Sequence, residues 1–283
     1  MSTLFARLVD DAAVYPPGSS PLDAAMVSHR VWQTGPISRY LGPLLVPAER
    51  ASELLPMLSD DVVRIALIGS AGAARDLLAA VRLLTRPGLE VVGVEIPLPD
   101  GEYDAGPTVS ALTPAMAAGL TVAVEVTRGK AATAIRSLAA RPEADGGLLR
   151  AKFRTGGVLE TQVPAFRELA TVIHAAVDAG IGFKLTSGLH HAAATTQPGG
   201  TIRHGVLNVC AAVDAADRGA EIGEIAAKLA DPDPAAVVRR LDEPRITAVR
   251  SAFLSFGCCA VTEPLAEIAA TGLIPTLAES PTW

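Results

Sequence analysis

The sequence predicts an α/β protein whose core is a closed (β/α)8 barrel, the TIM-barrel fold class. Short runs rich in β-branched residues alternate with Ala- and Leu-rich helical runs along most of the 283 residues. Eight such strand-like runs are present. Neither GxGxxG nor GxxxxGK[ST] follows the first strands, as a doubly wound nucleotide-binding sheet would require. Eight parallel strands in one chain therefore favour a barrel over an open sheet.

The predicted elements follow the chain in order. The eight strands are expected near residues 8–14, 41–46, 63–68, 91–96, 121–126, 148–154, 182–185 and 202–207. The helices between them carry ordinary start and stop signals. One helical run begins at Pro47, another follows Ser70, and a third extends from Pro164 to Gly180.

The chain after residue 208 has a different pattern. Helices are expected over residues 220–229, 234–241 and 246–274, the last interrupted near Pro264. These features predict a barrel over residues 1–210 and a C-terminal helical extension over residues 211–283 that packs on it. A lid over the barrel and a contact between copies in a homo-oligomer are alternative roles for the extension.

Charge and composition exclude several partners. The net charge is −6 without a basic stripe, and aromatic residues make up only 4% of the chain. No nucleic-acid partner is therefore expected. Gly, Pro or charged residues interrupt the longest apolar runs, and Asp10 and Asp11 come too early for a signal peptide. We expect no membrane partner and a cytoplasmic location.

The three cysteines are Cys210 and the adjacent pair Cys258 and Cys259. Their odd number and the absence of CxxC spacing argue against a disulfide framework or a structural zinc site. We therefore expect reduced core cysteines, with the adjacent pair in packed C-terminal structure.

Lysine usage is the most informative feature of the composition. The 24 basic residues comprise 20 arginines and four lysines. An amine can act as a nucleophile, whereas a guanidinium cannot, so each retained lysine is a candidate for chemistry. Lys130 and Lys228 lie in loop or helical stretches and are expected in solvent. Lys152 and Lys184 lie in predicted strands.

Strand alternation turns ionisable groups toward the barrel axis on four successive strands. These groups are Glu95, Glu125, Lys152 with Arg154, and Lys184. Two neighbouring ammonium groups should depress each other's pKa and leave one amine free as a Schiff-base nucleophile. The alternative is a structural cluster in which Glu125 neutralises Lys152 and Glu95 neutralises Lys184.

These lysine segments resemble deoxyribose-phosphate aldolase, a class I aldolase family. The family's K-T-S-T-G motif on strand six is similar to residues 152–156 (KFRTG), and its second lysine motif is similar to residues 184–188 (KLTSG). The resemblance covers about residues 8–210 in order. It implies a (β/α)8 barrel in which Lys152 forms the Schiff base, without a cofactor or a metal. Lys184 and Glu95 would then relay protons, and Glu125 would orient or neutralise the lysines.

The sequence differs from the family at two points that bear on which substrate is expected. Gly93 stands where the family has a catalytic Asp, and Glu95 on the same strand face would replace it. The Gly pair and serines of the family's phosphate site are also incomplete here. The partner is therefore expected to be a small-molecule carbonyl compound, either without a phosphate or with its phosphate on His190, Arg154 or Arg203.

The candidate substrate-binding residues lie near the predicted strand ends. They are Asp11, Arg154, Thr155, Gly156, Ser187, Gly188, His190, Arg203, His204 and Asn208. Two rival functions stay open. One is a metal-dependent barrel isomerase or hydrolase with Glu95, Glu125 and His204 as ligands. The other is a non-catalytic barrel with an assembly role.

Overall fold

A computed structural model describes residues 2–157, 159–196 and 201–277. In chain order its strands are β1 (Val9–Asp11), β2 (Leu41–Pro47), β3 (Val63–Ile68), β4 (Leu89–Pro97), β5 (Thr121–Glu125), β6 (Leu149–Arg154), β7 (Phe183–Thr186), β8 (Thr195–Thr196), β9 (Ile202–Arg203) and β10 (Phe253–Cys258). Strands β1 to β7 and β10 form a closed barrel in which every neighbouring pair is parallel. The predicted (β/α)8 fold class is confirmed.

Helices connect the barrel strands and cover their outer faces. The α-helices are α1 (Leu22–Thr34), α2 (Ala74–Leu84), α3 (Gly106–Ala117), α4 (Ala131–Ala139), α5 (Phe166–Asp178), α6 (Val206–Asp217), α7 (Ile222–Leu229), α8 (Pro234–Val238), α9 (Glu243–Ala252) and α10 (Thr262–Ala270). Short 3₁₀ helices lie at Ser2–Phe5, Ala48–Met57, Pro142–Ala144 and Glu160–Gln162. Within the described part of the chain, no helix is long and apolar enough to cross a membrane.

The strand that closes the barrel is not the predicted one. Strand β10 pairs in parallel with both β1 and β7. The predicted eighth strand at residues 202–207 is wrong, because Ile202–Arg203 pairs antiparallel with Thr195–Thr196 and α6 begins at Val206. The barrel therefore does not end at residue 210. Helices α6 to α9 form a long connection between β7 and β10. Short apolar runs such as FLSF fit a strand or a buried helix equally well, which explains the error.

The main hydrophobic core lies between the barrel strands and the surrounding helices. As alternation predicts, Val122, Val124 and Phe153 are buried under the helices. The Phe253 ring stacks on Phe183 of the neighbouring strand, with 5.6 Å between ring centroids. This packing stabilises the pairing of β10 with β7, because large aromatic side chains bury much apolar surface where the two strands meet.

The strand register aligns three of the inward charged residues, Glu125, Lys152 and Lys184. Lys152 pairs in register with Glu125 on one side and with Lys184 on the other. Lys184 in turn pairs with Ser255 of β10. Register partners in a sheet point to the same face, so these side chains converge on the barrel axis.

Candidate active site

The Lys152 amine is held between two carboxylates. Its Nζ lies 2.8 Å from Oε2 of Glu95 and 2.9 Å from Oε2 of Glu125. Only 4% of the Lys152 side chain and 3% of the Glu95 side chain are exposed. Strands β4, β5 and β6 are consecutive neighbours, so adjacent strands supply the three groups. An ammonium this deeply buried requires such partners, because an isolated buried charge is very costly.

The Lys184 amine lies beside the first one and shares a carboxylate with it. Lys184 Nζ lies 2.6 Å from Oδ2 of Asp10 and also contacts Oε1 of Glu95. The Ser255 hydroxyl donates a hydrogen bond of 2.8 Å to the same Asp10 oxygen. Glu95 therefore bridges the two lysines, with one carboxylate oxygen on each amine. Lys152, Glu95, Lys184 and Asp10 therefore form one charged cluster inside the barrel.

Arg154 extends the network toward solvent. Its Nε and Nη2 atoms lie 3.2 and 3.0 Å from Oε1 of Glu125, and its Nη1 donates to Ser187 Oγ at 3.1 Å. Almost half of the Arg154 side chain is exposed, at 49%. The arginine thus holds Glu125 from the solvent side while Lys152 holds it from within the barrel.

The carboxylates control the protonation of the site. Burial lowers the pKa of Lys152, and so does the Lys184 ammonium, but Glu95 and Glu125 outweigh them and raise it above its ordinary value. The pKa of Lys184 is raised as well, because Asp10 and Glu95 outweigh the effect of burial. The expectation that the two ammonium groups would free one amine at neutral pH is therefore wrong. Three carboxylates balance them and keep both amines protonated.

The pKa of Glu95 is shifted in the opposite direction to the pKa values of the two lysines. Burial alone would raise the pKa of its carboxyl group, but Lys152 and Lys184 together lower it to about 2. The pKa of Glu125 is lowered for the same reason, with Lys152 and Arg154 opposing burial. Both carboxylates are therefore ionised in the resting site and can accept a proton only when a lysine gives one up.

A cavity of about 1140 Å³ opens at the carboxyl ends of the barrel strands, and Lys152 and Glu125 line its floor. This is the end at which barrel enzymes carry their active sites. Eight of the predicted substrate-binding residues line the cavity: Arg154, Thr155, Gly156, Ser187, Gly188, His190, Arg203 and His204. Lys184 and Glu95 are not lining residues, and they are linked to the cavity through Lys152.

The loops after β6 and β7 pack backbone against backbone. Thr155 Oγ1 donates a hydrogen bond of 2.6 Å to the Ser187 carbonyl oxygen. Gly188 has a φ of +100°, and a Cβ atom there would lie 2.9 Å from the Thr155 carbonyl oxygen. Only glycine fits this position without strain. The close approach holds the Ser187 hydroxyl within reach of Arg154.

The histidines at the cavity have different environments. His204 is buried, and its Nε2 donates to the Pro164 carbonyl oxygen at 2.8 Å, while burial lowers its pKa. His190 and His191 are partly exposed, and each places Nδ1 2.9 Å from a glutamate of α10, Glu263 and Glu267 respectively. His204 is therefore a neutral wall residue, whereas His190 and His191 bind the cavity rim to α10.

Two predicted substrate-binding residues lie away from the cavity. Asp11 is fully buried beneath α1, where its Oδ2 accepts a hydrogen bond of 2.9 Å from His29 Nδ1. Alternation along β1 turns Asp10, not Asp11, toward the barrel axis. Asn208 lies in α6, where its Oδ1 accepts from the Ala194 amide at 2.7 Å and its Nδ2 donates to two backbone carbonyls. Both predictions are wrong.

Several site residues were not predicted. Asp10 and Ser255 complete the Lys184 pocket, and Tyr15 and Cys259 line the cavity. The alternation rule could have identified Asp10, since Val9 is buried on the outer side of the same strand. No pattern in the sequence indicates the other three, because they depend on the position of β10 and on a loop after β1.

The two carboxylates of the rival metal-site hypothesis are engaged by cationic side chains. Glu95 and Glu125 contact ammonium groups, and the Nε2 of His204 donates to a carbonyl oxygen. Among the residues that the structure describes, no group of three or more His, Cys, Asp or Glu side chains is arranged to hold a metal ion.

No protein-family model matches the chain, and neither a curated protein nor a solved structure gives a significant match. The fold and the site themselves define the class: a (β/α)8 barrel with a buried lysine and carboxylate network at the floor of its mouth cavity.

Proposed function

We propose that the protein is a class I aldolase or a related carbon–carbon lyase that forms a Schiff base between Lys152 and a small aldehyde or ketone. The observation that carries the proposal is the position of the Lys152 amine. It faces the cavity at the end of the barrel where enzymes react, and two carboxylates that can take its proton lie within 2.9 Å. The likeness of residues 152–156 and 184–188 to deoxyribose-phosphate aldolase points to the same chemistry.

Imine formation begins with loss of a proton from Lys152. Glu95 and Glu125 already lie within 2.9 Å of the amine, so acceptors for its proton are close at hand. A bound carbonyl compound displaces water from the cavity, and a less polar surrounding favours a neutral amine and carboxylic acid over two separated charges. The free amine then attacks the carbonyl carbon to give a carbinolamine. Loss of water from the carbinolamine gives the protonated imine.

The network beneath Lys152 provides the remaining proton transfers. Glu95 contacts both amines, and Lys184 passes protons on to Asp10. This relay protonates the carbinolamine hydroxyl as it leaves as water, and later protonates the enamine carbon. In the cleavage direction the iminium accepts the electron pair of the breaking carbon–carbon bond. The hydroxyl proton of the departing aldehyde is taken up by a carboxylate of the site.

The cavity wall favours a small substrate with hydroxyl groups. Arg154 binds both Glu125 and Ser187, so its guanidinium is engaged before any substrate binds. The Ser187 hydroxyl and the guanidinium edge can still donate to a substrate hydroxyl. We therefore propose a small hydroxylated substrate, either without a phosphate or with its phosphate on His190, Arg154 or Arg203.

Borohydride trapping tests the proposal directly. The protein is incubated with a panel of small aldehydes and ketones, reduced with borohydride and mapped by peptide mass spectrometry. We expect a reduced adduct on Lys152 and none on the exposed Lys130, because only a cavity amine combines substrate binding with proton acceptors. Absence of an adduct with every carbonyl compound, at neutral and at alkaline pH, would reject the proposal.

Replacement of Glu125 by glutamine should change the pH dependence of trapping. Imine forms only from the deprotonated fraction of Lys152, so the wild-type rate should rise with pH into the alkaline range. E125Q removes a negative charge 2.9 Å from the amine. The pKa of Lys152 should fall, and the midpoint of the rate profile should move down by about one pH unit or more. E53Q, at an exposed site, is the control, and an unmoved midpoint in E125Q would contradict this assignment.

A further inference from the structure

A second reactive cluster lies on the wall of the same cavity, away from the lysines. Cys259 follows β10 directly, and its Sγ lies 3.7 Å from Nε2 of His190. The other ring nitrogen of His190, Nδ1, lies 2.9 Å from Oε2 of Glu263 in α10. Cys259, His190 and Glu263 all line the cavity, and Cys259 is partly exposed. A thiol, an imidazole and a carboxylate in series form the arrangement that activates a cysteine nucleophile.

The surroundings of the sulfur stabilise its anionic form. Burial alone would raise the pKa of Cys259, but His190 and the backbone amides of Gly18 and Cys259 outweigh it and lower the pKa below its ordinary value. The loop after β1 approaches closely, since a Cβ atom on Gly18 would lie 3.0 Å from the Cys259 Cβ. Cys258, His190 and Glu263 are the titratable groups in contact within this cluster.

The imidazole is held in its charged form. Hydrogen bonds that its ring N–H groups donate to the sulfurs of Cys258 and Cys259, together with the Glu263 carboxylate, raise the pKa of His190 far above its usual range. Cys258 is buried, and its sulfur lies 3.8 Å from Nδ1 of His190 and 3.4 Å from the Ala260 carbonyl oxygen. The two cysteines therefore differ in access, and Cys259 is the one that faces the cavity.

We propose that Cys259, with His190 as its proton donor and Glu263 as the partner of His190, is a covalent binding site for small uncharged aldehydes at the cavity wall. The thiol proton of Cys259 is lost to solvent, the Sγ lone pair of the resulting thiolate forms a bond to the carbonyl carbon, and the π electron pair of the C=O bond moves to oxygen. That oxygen takes the Nε2 proton of His190. The product is a neutral thiohemiacetal beside a neutral imidazole, so the step needs no further reactant. It does not use Lys152 and does not depend on the Schiff-base proposal.

Alkylation by iodoacetamide measures the nucleophilicity of the thiol. The reduced full-length protein is treated with a limiting amount of the reagent near pH 7, and each cysteine is followed by peptide mass spectrometry. We expect Cys259 to react first. Cys210 is fully buried and its pKa is raised to about 12, so it should stay unmodified and serve as the internal reference.

The role of His190 is tested with a matched pair of variants. His191 has the same contact with a glutamate, 2.9 Å from Glu267, but no contact with a cysteine. H190N should slow alkylation of Cys259 by about fivefold or more near pH 7, whereas H191N should change it by less than about twofold. E263Q should slow it in the same direction but less. Equal rates in H190N and H191N would overturn the proposal.

Protection by an aldehyde tests the covalent step itself. Propanal should slow the alkylation of Cys259, and 1-propanol, which has a similar shape but no carbonyl group, should not. The same protection in K152R assigns the effect to the thiol, because no imine can form there. Loss of protection in K152R, or equal protection by the alcohol, would show that Cys259 is merely covered by a molecule in the cavity and would reject covalent capture. Neither result depends on detecting an adduct on Lys152.

Discussion

Replacing Lys152 by arginine is expected to abolish the borohydride-trapped adduct and to reduce turnover of the carbonyl substrate by about 10³-fold or more. Arginine keeps a positive charge between Glu95 and Glu125, but its guanidinium stays protonated at every accessible pH and cannot attack a carbonyl carbon. The loss should therefore be chemical and should not depend on a collapse of the ion network. Peptide mapping after reduction and steady-state turnover measure the two effects.

Two controls separate this result from a folding defect. K130R changes an exposed lysine and should leave trapping and turnover unaltered. K152M keeps a similar length and removes the charge, so it should also prevent trapping, although its stability will differ from that of K152R. Unfolding curves for each variant show whether the protein is folded under assay conditions. An adduct that persists in folded K152R would show that another lysine is the nucleophile, and it would contradict the assignment of Lys152.

Replacing Glu95 by glutamine is expected to cost about 3–5 kcal/mol of unfolding free energy near neutral pH. Glu95 is the only carboxylate that contacts both Lys152 and Lys184 in the described structure. Without it, two buried ammonium groups keep one acidic partner each and repel one another. A neutral amide cannot balance the charges of two deeply buried ammonium groups. Urea unfolding at equilibrium measures the difference.

The loss of unfolding free energy in E95Q should depend on pH and should be smaller in acid. The folded pKa of Glu95, about 2, lies below the value of an unfolded chain, so its contribution to stability is present above pH of about 4.5. That contribution is lost as pH falls toward about 2. The difference in unfolding free energy between wild type and E95Q should therefore become smaller over this acid range. E53Q removes an exposed partner of Arg50 and should leave the free energy of unfolding nearly unchanged throughout. A gap that stays constant down to the lowest pH would contradict this account of Glu95.

The two variants together distinguish a structural network from a catalytic one. Buried ion pairs stabilise proteins weakly compared with apolar packing, so stability alone gives little reason to place three carboxylates and two lysines inside a barrel. If the network were only structural, E95Q would lose stability and K152R would lose little of anything measured. The proposed chemistry instead predicts that a folded K152R loses trapping and nearly all of its turnover.

The sequence by itself determined the barrel class and most of the inward-facing charges. Alternation along β5, β6 and β7 is strict, because apolar residues must face the helices and every second residue must face the axis. Glu125, Lys152 and Lys184 therefore followed from the pattern, and the scarcity of lysine drew attention to the two amines. Glu95 followed from the same rule on β4.

Only the tertiary structure decided which groups meet and in which charge state. Contacts among Glu95, Lys184 and Asp10 join strands far apart in the chain, and the final register of β1 and β10 sets them. The same closure made 253–258 a barrel strand and placed Cys259 at the cavity wall. Periodicity is local, whereas a pKa depends on every charge within a few ångströms in space. For that reason the pattern located the amines correctly, while the carboxylates from other strands reversed the expected direction of their pKa.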